Sequence, residues 1–557
     1  MAALLMCCYL PASGSKNNKD EVIKISSVKL PSRRRTYFNR IDTKIIEGVE
    51  NGSPDSLRKA MLQLRQSTNE YEESEVVLMS VAAQMMEMAW PSEKIDWDVF
   101  PAATNNPYIG ALDSAKKGVF DSSTGNVDFL TILLPAFVLF ENGSDKTLYD
   151  SCELAIATAL AVNKKSVIAN YLMAVLQALK GNYRLAEPYL EDIYKECPDV
   201  KEIALAYSEA LRENGKIKEA TEIINKMGSD SSDINVLKEN AYLAFDKKDF
   251  DSAEYYVARV LQQTPNDLEF VLFRAKILIE QGDYIHAVSL LDMYEKQDDK
   301  NLEYLLLRAK VQLDWSKNTN AATKTIEEAL KLYPDNKDAL LIAAKISSIT
   351  EGPVDGRYAD QLAALVLEEQ PENREAMNYA LDGFMQRKNW NEAYKISKIL
   401  IEDDNVSGEI INKYVNVCVE KGKKQEAYDY AKKMHNKNPD DEEILKAYIL
   451  AYSVTGDRNS VLKYINSLLP KASQKIKSYL YYRRSFLQTS EDAALADLRS
   501  CLISNPRNSE ALFRLYELYY QKGDYRKAQY YLRQVVAINP NDSSLKQLNE
   551  SLSKLIK

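Results

Sequence analysis

The chain carries two histidines, His286 and His435, and six cysteines, Cys7, Cys8, Cys152, Cys197, Cys418 and Cys501. Acid–base and nucleophilic chemistry needs such groups paired at hydrogen-bond reach, and metal chemistry needs several at ligand spacing. The pattern offers neither. The histidines stand far apart, no C-x-x-C pair occurs, and no H-E-x-x-H, G-x-S-x-G, G-x-x-x-x-G-K-[ST] or G-x-G-x-x-G pattern is present. Asp96 and Asp98 bring two carboxylates together, an arrangement common in loops. Cys418 and Cys501 fall in apolar helical stretches and read as small core residues. The scattered cysteines predict no disulfide framework and no zinc site. The expectation is a protein that is not an enzyme, with no catalytic residues, no metal and no cofactor.

The elements around these residues are the larger message. A chain of 557 residues exceeds one compact core, so it holds several domains or a repeat array. Its 18 glycines are too few for a fold of many tight turns and suit helices joined by short loops. The net charge of -9 disfavours nucleic acid or an anionic membrane surface as partner. No stretch reaches the ~18 consecutive apolar residues of a membrane-spanning helix.

A fixed spacing runs through most of the chain. Ala186, Ala253, Ala322, Ala359, Ala427, Ala494 and Ala528 are each followed twelve residues later by a proline, from Pro198 to Pro540. Ala220, Ala287 and Ala393 fill the gaps in the same phase, and Val461 takes the alanine's place once. A glycine stands five residues before the small residue at Gly181, Gly215, Gly282, Gly422, Gly456 and Gly523. An aromatic stands three before it at Tyr183, Phe250, Tyr284, Trp390 and Tyr525. Physically, glycine lets the chain leave a first helix in a left-handed conformation, alanine permits close crossing, and proline ends the second helix.

This pattern resembles the tetratricopeptide repeat, most plainly in Ser509 to Pro540, although the tryptophan usual in the first helix is missing. The resemblance implies an all-α fold, a right-handed superhelical solenoid of helix-turn-helix units. About eleven units are expected over 167–542, with a capping helix over 543–557. The turn Thr350–Gly356 is longer than the period allows and reads as a protruding loop. Residues 37–166 are helical in pattern without the repeat. They read as a divergent cap of helical hairpins or a small independent domain.

The start of the chain differs in character. Residues 1–14 are largely apolar and resemble the end of a secretory signal. Leu4-Leu5-Met6-Cys7, or Leu5-Met6-Cys7-Cys8, resembles a bacterial lipoprotein box, with Met6 larger than the usual residue. Lipidation is therefore expected on Cys7 or Cys8, and a lipid there would be the membrane link. Residues 15–36 form a basic polar linker ending in Arg33-Arg34-Arg35.

The family resemblance also implies function. Repeats of this kind hold other proteins in a concave groove lined by their first helices. Carried onto this chain, the groove positions include Tyr171, Lys238, Tyr242, Phe245, Tyr479, Arg483, Phe486, Phe513, Glu517 and Tyr520. Aromatic residues and arginine are the types that anchor interfaces. Acidic residues recur on the first helices, among them Glu202, Glu209, Glu269 and Glu510. They read either as sites for a basic partner or, preferably, as local helix-dipole partners. The lysine–asparagine clamp by which some family members hold chaperone tails is absent, since Lys238 is followed by Tyr242. The expectation is a protein-interaction scaffold in a bacterial cell envelope or periplasm, lipid-anchored or exported. A cytoplasmic adaptor reading a peptide segment is the alternative.

Overall fold

The computed structural model describes residues 40–66, 73–93, 146–228, 231–403, 405–539 and 543–556. Cys7, Cys8, the basic linker, Asp96, Asp98 and Pro540 lie outside the described residues. Among those described, regular structure is helical throughout, with one isolated bridge between Val354 and Arg357. The chain is an all-α helical-repeat solenoid. It divides into two compact units, one up to Asp298 and one from Asp299.

The first unit opens with helices Thr43–Asn51, Pro54–Gln66, Glu73–Ala89 and Tyr149–Val162. Four helix pairs follow: Val167–Leu179 with Tyr183–Glu196, Lys201–Glu213 with Ile217–Lys226, Ile234–Asp246 with Phe250–Gln263, and Leu268–Gln281 with Tyr284–Glu295. Many helix starts are fixed by a polar side chain that accepts an otherwise orphaned backbone N–H. Asp233, Asp249 and Asp267 do this for Val236, Ser252 and Phe270. The in-phase alanines Ala186, Ala220, Ala253 and Ala287 are fully buried. Any larger side chain there would push the crossing helices apart.

The opening helices are continuous with the repeats. One apolar cluster runs from Ile41 through Met85 and Trp90 to Ala206 and Ala210. Gly52 ends the first helix with φ 70°, and a Cβ there would run into the Ile168 side chain. The Ser166 hydroxyl donates to the Glu50 carbonyl at 2.7 Å, tying the first repeat to the same helix. One apolar cluster therefore joins these helices to the first repeats.

The second unit holds seven pairs. These are Leu302–Asp314 with Thr319–Leu332, Lys337–Thr350 with Ala359–Leu367, and Arg374–Gln386 with Trp390–Leu400. Next come Gly408–Glu420 with Lys424–Lys437, and Glu442–Thr455 with Arg458–Leu468. The last are Gln474–Ser485 with Glu491–Ser504, and Ser509–Gln521 with Tyr525–Ile538, before a final helix Ser543–Leu555. That helix lays Leu552, with Leu545 and Leu548, on the cluster of Leu515, Tyr519 and Leu532.

Two details depart from the sequence reading. Gly456 is extended, at φ -80°, rather than left-handed. Glycine is needed there because a Cβ would strike the Tyr452 ring and carbonyl. The long turn after Thr350 is folded back on the repeat. Val354 is buried, Ser347 Oγ donates to the Gly352 carbonyl at 2.7 Å, and the Asp355 N–H reaches Glu327 at 3.2 Å.

Candidate functional site

In the first unit, the four residues expected in the groove are already engaged. Tyr171 is buried beneath Trp90, with ring centroids 4.8 Å apart. Beyond Trp90, Ser92 donates its N–H and its hydroxyl to the two oxygens of buried Glu202, at 2.8 and 2.7 Å. The chain's own segment therefore covers this stretch of first-helix surface. Lys238 is buried, pairs with Asp267 at 2.7 Å and lies over the Phe270 ring at 4.6 Å. Tyr242 is buried and donates its hydroxyl to Glu269 at 2.6 Å. Phe245 is half-buried among Phe250 and Phe273. All four act in packing and pairing.

Around them lies a carboxylate cluster. Arg212, buried, contacts Glu213 at 2.7 Å, Glu239 at 3.3 Å and Asp246 at 3.7 Å. Glu209 accepts from the Tyr183 hydroxyl at 3.3 Å. Desolvation pushes its carboxyl up to about 8, with Arg212 opposing and Glu239 and Glu213 adding to the rise. Desolvation also raises Glu239 and Asp246. Glu202 and Glu269 stand in the first turn of their helices, as the helix-dipole reading expects, whereas Glu209 lies near the end of its helix. Each is held by a side chain or backbone group from another element.

In the second unit three of the six expected residues meet at an open recess of about 320 Å³ between the last two repeats, and Tyr479, Arg483 and Tyr520 are not part of its lining. Phe486, Phe513 and Glu517 line it, together with Tyr482, Glu510 and Arg514, which the groove positions had not included. Phe486 is 45% exposed and Tyr520, near Tyr516 at 5.8 Å, is 41% exposed. Tyr482 meets the Phe486 ring edge-on at 5.1 Å, and burial pushes its phenol up to about 12. The Arg514 guanidinium lies over Phe486 at 3.6 Å and that of Arg483 at 5.5 Å. The Nε of each is buried without a hydrogen-bond partner, while Arg483 acts electrostatically on Glu510 and Glu517 on Arg514. Desolvation lowers Arg514 and raises Glu510, although Glu510 keeps solvent access at the edge of the recess. Tyr479 stands apart from this: its hydroxyl donates to the Lys446 carbonyl at 3.0 Å, a structural bond.

The groups that could do chemistry are poorly placed for it. Burial pushes the thiols of Cys197, Cys418 and Cys501 up to about 11 and that of Cys152 to about 12, so they remain protonated at neutral pH. His286 is exposed and pairs with Asp283 at 2.7 Å. His435 stacks on Tyr448 and meets the Tyr464 hydroxyl at 3.2 Å. Among the described residues no cluster of His, Cys, Asp and Glu could hold a metal, and no helix is long and apolar enough to cross a membrane.

Paired helices with a buried small residue at the crossings, alanine in all but the pair that holds Val461, define a helical-repeat protein. Residues 244–311 and 488–552 match the family model of the tetratricopeptide repeat. These two segments carry tetratricopeptide repeats, which support a protein–protein interaction scaffold. The chain's fold is generally non-enzymatic. No curated protein sequence matches it. Among solved structures, pilF of Pseudomonas aeruginosa is 17% identical with a TM-score of 0.31, covering 42% of this chain and 99% of that one. A tetratricopeptide repeat protein from Parabacteroides merdae is 14% identical with a TM-score of 0.28, covering 57% and 98%. The human IFIT1 dimer with PPP-AAAA is 13% identical with a TM-score of 0.36, covering 76% and 99%.

Proposed function

We propose that this protein is a non-enzymatic scaffold that holds a segment of a partner protein against the recess of its last two repeats. The observation that carries this reading is the exposed Phe486, ringed by Tyr482, Phe513 and Arg514 at an open recess. Exposed aromatic residues beside arginine, on a rigid helical wall, are the composition of interface anchors. The corresponding surface near Tyr171 is covered by Trp90 and Ser92, which favours the far end of the array.

Cross-linked pull-down with mass spectrometry tests it, comparing wild type with a Phe486→Ala, Phe513→Ala, Tyr520→Ala variant. Tyr479 is left intact because its hydroxyl bonds the Lys446 carbonyl. A protein enriched by wild type and lost from the folded variant supports the reading. The same proteins captured by both would overturn it. For location, the lipoprotein-like Leu4 to Cys8 supports a place in a bacterial envelope. Incorporation of labelled palmitate that disappears with Cys7→Ser, Cys8→Ser separates this from a cytoplasmic adaptor.

A further inference from the structure

We infer that the recess takes a partner segment with an apolar residue two positions before a serine or threonine, whose backbone N–H and hydroxyl both donate to Glu510. This deepens the proposed scaffold function and rests on it. The first unit supplies the pattern, because the chain's own Trp90-Pro91-Ser92 lies there on the first two repeats. The Trp90 ring packs on Tyr171 at 4.8 Å, and Ser92 gives its N–H and hydroxyl to the two oxygens of Glu202 at 2.8 and 2.7 Å. A carboxylate that accepts two charge-assisted bonds from one residue fixes both its place and its backbone direction.

The last two repeats carry the same acceptor. Glu202 is the second residue of its helix, and Glu510 is the second residue of Ser509–Gln521. A tyrosine stands 31 residues before each glutamate, Tyr171 and Tyr479, and another glutamate stands seven after, Glu209 and Glu517. Glu510 differs in being open. Glu269, Glu375, Glu409 and Glu443 hold the same helix position in other repeats, and the protein's own tyrosines and lysines engage each of them. Glu510 is exposed at the recess and has no hydrogen bond or ion pair among the described residues.

The rest of the lining selects a neutral donor. A phosphate or carboxylate would meet Glu510 and Glu517, and an ammonium would meet Arg514, whereas a serine hydroxyl and an amide N–H meet no like charge. Where the first repeats have Ala174 and Ala178, the recess has Tyr482 and Phe486 at the corresponding positions. The ring that Trp90 brings to the first repeats is thus built into the wall here. The occupant's apolar residue is accordingly smaller than tryptophan, and Phe513, Val535 and Leu545 complete its wall.

The test is selection of random dodecapeptides, displayed with their C-termini blocked, on the full chain. Recovered sequences are expected to share an apolar residue two positions before serine or threonine. Replacing that serine with alanine, or methylating its backbone nitrogen, should each weaken binding at least about tenfold. Phosphoserine in its place should abolish binding. Glu510→Gln, at an exposed position that leaves the fold intact, should weaken the same peptides, while Glu517→Gln should leave them close to wild type. Peptides that depend on Phe486 but tolerate alanine for serine would overturn this inference and leave the scaffold reading standing. So would an acidic consensus, or binding indifferent to Glu510→Gln. No enrichment at all would sink both.

Discussion

Glu209 gives the sharpest quantitative handle on the cluster around Arg212. Its carboxyl rises from an ordinary 4.5 to about 8, chiefly by desolvation. A raised acid binds its proton more tightly in the folded state, so its stabilising effect is full below pH 4.5 and is lost as pH climbs through about 8. At about 1.4 kcal/mol per pH unit this has a ceiling near 5 kcal/mol. Glu209 is only half-buried, and solvent screening brings the expected effect to about 2 kcal/mol. Glu209→Gln removes the ionisation while keeping an oxygen for the Tyr183 hydroxyl, 3.3 Å away. Repeat arrays open locally, so the assay is hydrogen exchange of Lys201–Glu213 at pH 5.5, 7 and 8.5. Wild type should lose protection as pH rises, after correction for intrinsic exchange. Glu209→Gln should be flatter and better protected at pH 8.5. A variant less protected than wild type at pH 8.5, or one with the same slope, would refute the reasoning.

Three further outcomes are expected. His435 has its pKa lowered by burial, so the stability it contributes is present above its ordinary 6.5 and is lost as pH falls. Exchange in Lys424–Lys437 should therefore quicken from pH 7 to pH 5, and His435→Phe should lessen the change. Lys248 holds φ 61° in the turn where other repeats place glycine. Lys248→Gly should stabilise by about 0.5–1 kcal/mol in urea melts, the relief of left-handed strain outweighing the added freedom of the unfolded chain. Ala427 is fully buried, so Ala427→Leu should overpack that repeat and cost about 1–3 kcal/mol or more, read as earlier loss of helix on heating.

The fold was legible because its rules are local. Alanine, glycine and proline each answer a demand of one helix pair, and repetition makes the demand visible. Gly456 shows the limit even there, since its reason is the Tyr452 ring rather than the turn. The site was legible only in part, because pairings between repeats depend on what the next unit brings opposite. Lys238 has the right position for a groove, yet its partner Asp267 caps the following first helix. Lys201 and Asp233 repeat the arrangement at 2.6 Å, and that recurrence is a signal a sequence search could use. Arg514 falls outside the groove positions read from the family and becomes visible only where it meets Phe486. Trp90 could not be matched to Tyr171 at all without the packing that joins them.

The segment carrying Trp90 and Ser92 sets a threshold for anything that would use the first two repeats. Because it is part of the same chain, it competes at an effective concentration on the order of millimolar or higher. An outside peptide making the same ring contact and the same two bonds to Glu202 must exceed that concentration, or bind correspondingly tighter, to displace it. Weak, passing ligands are thereby screened from this end, while among the described residues Phe486 at the recess stays 45% exposed.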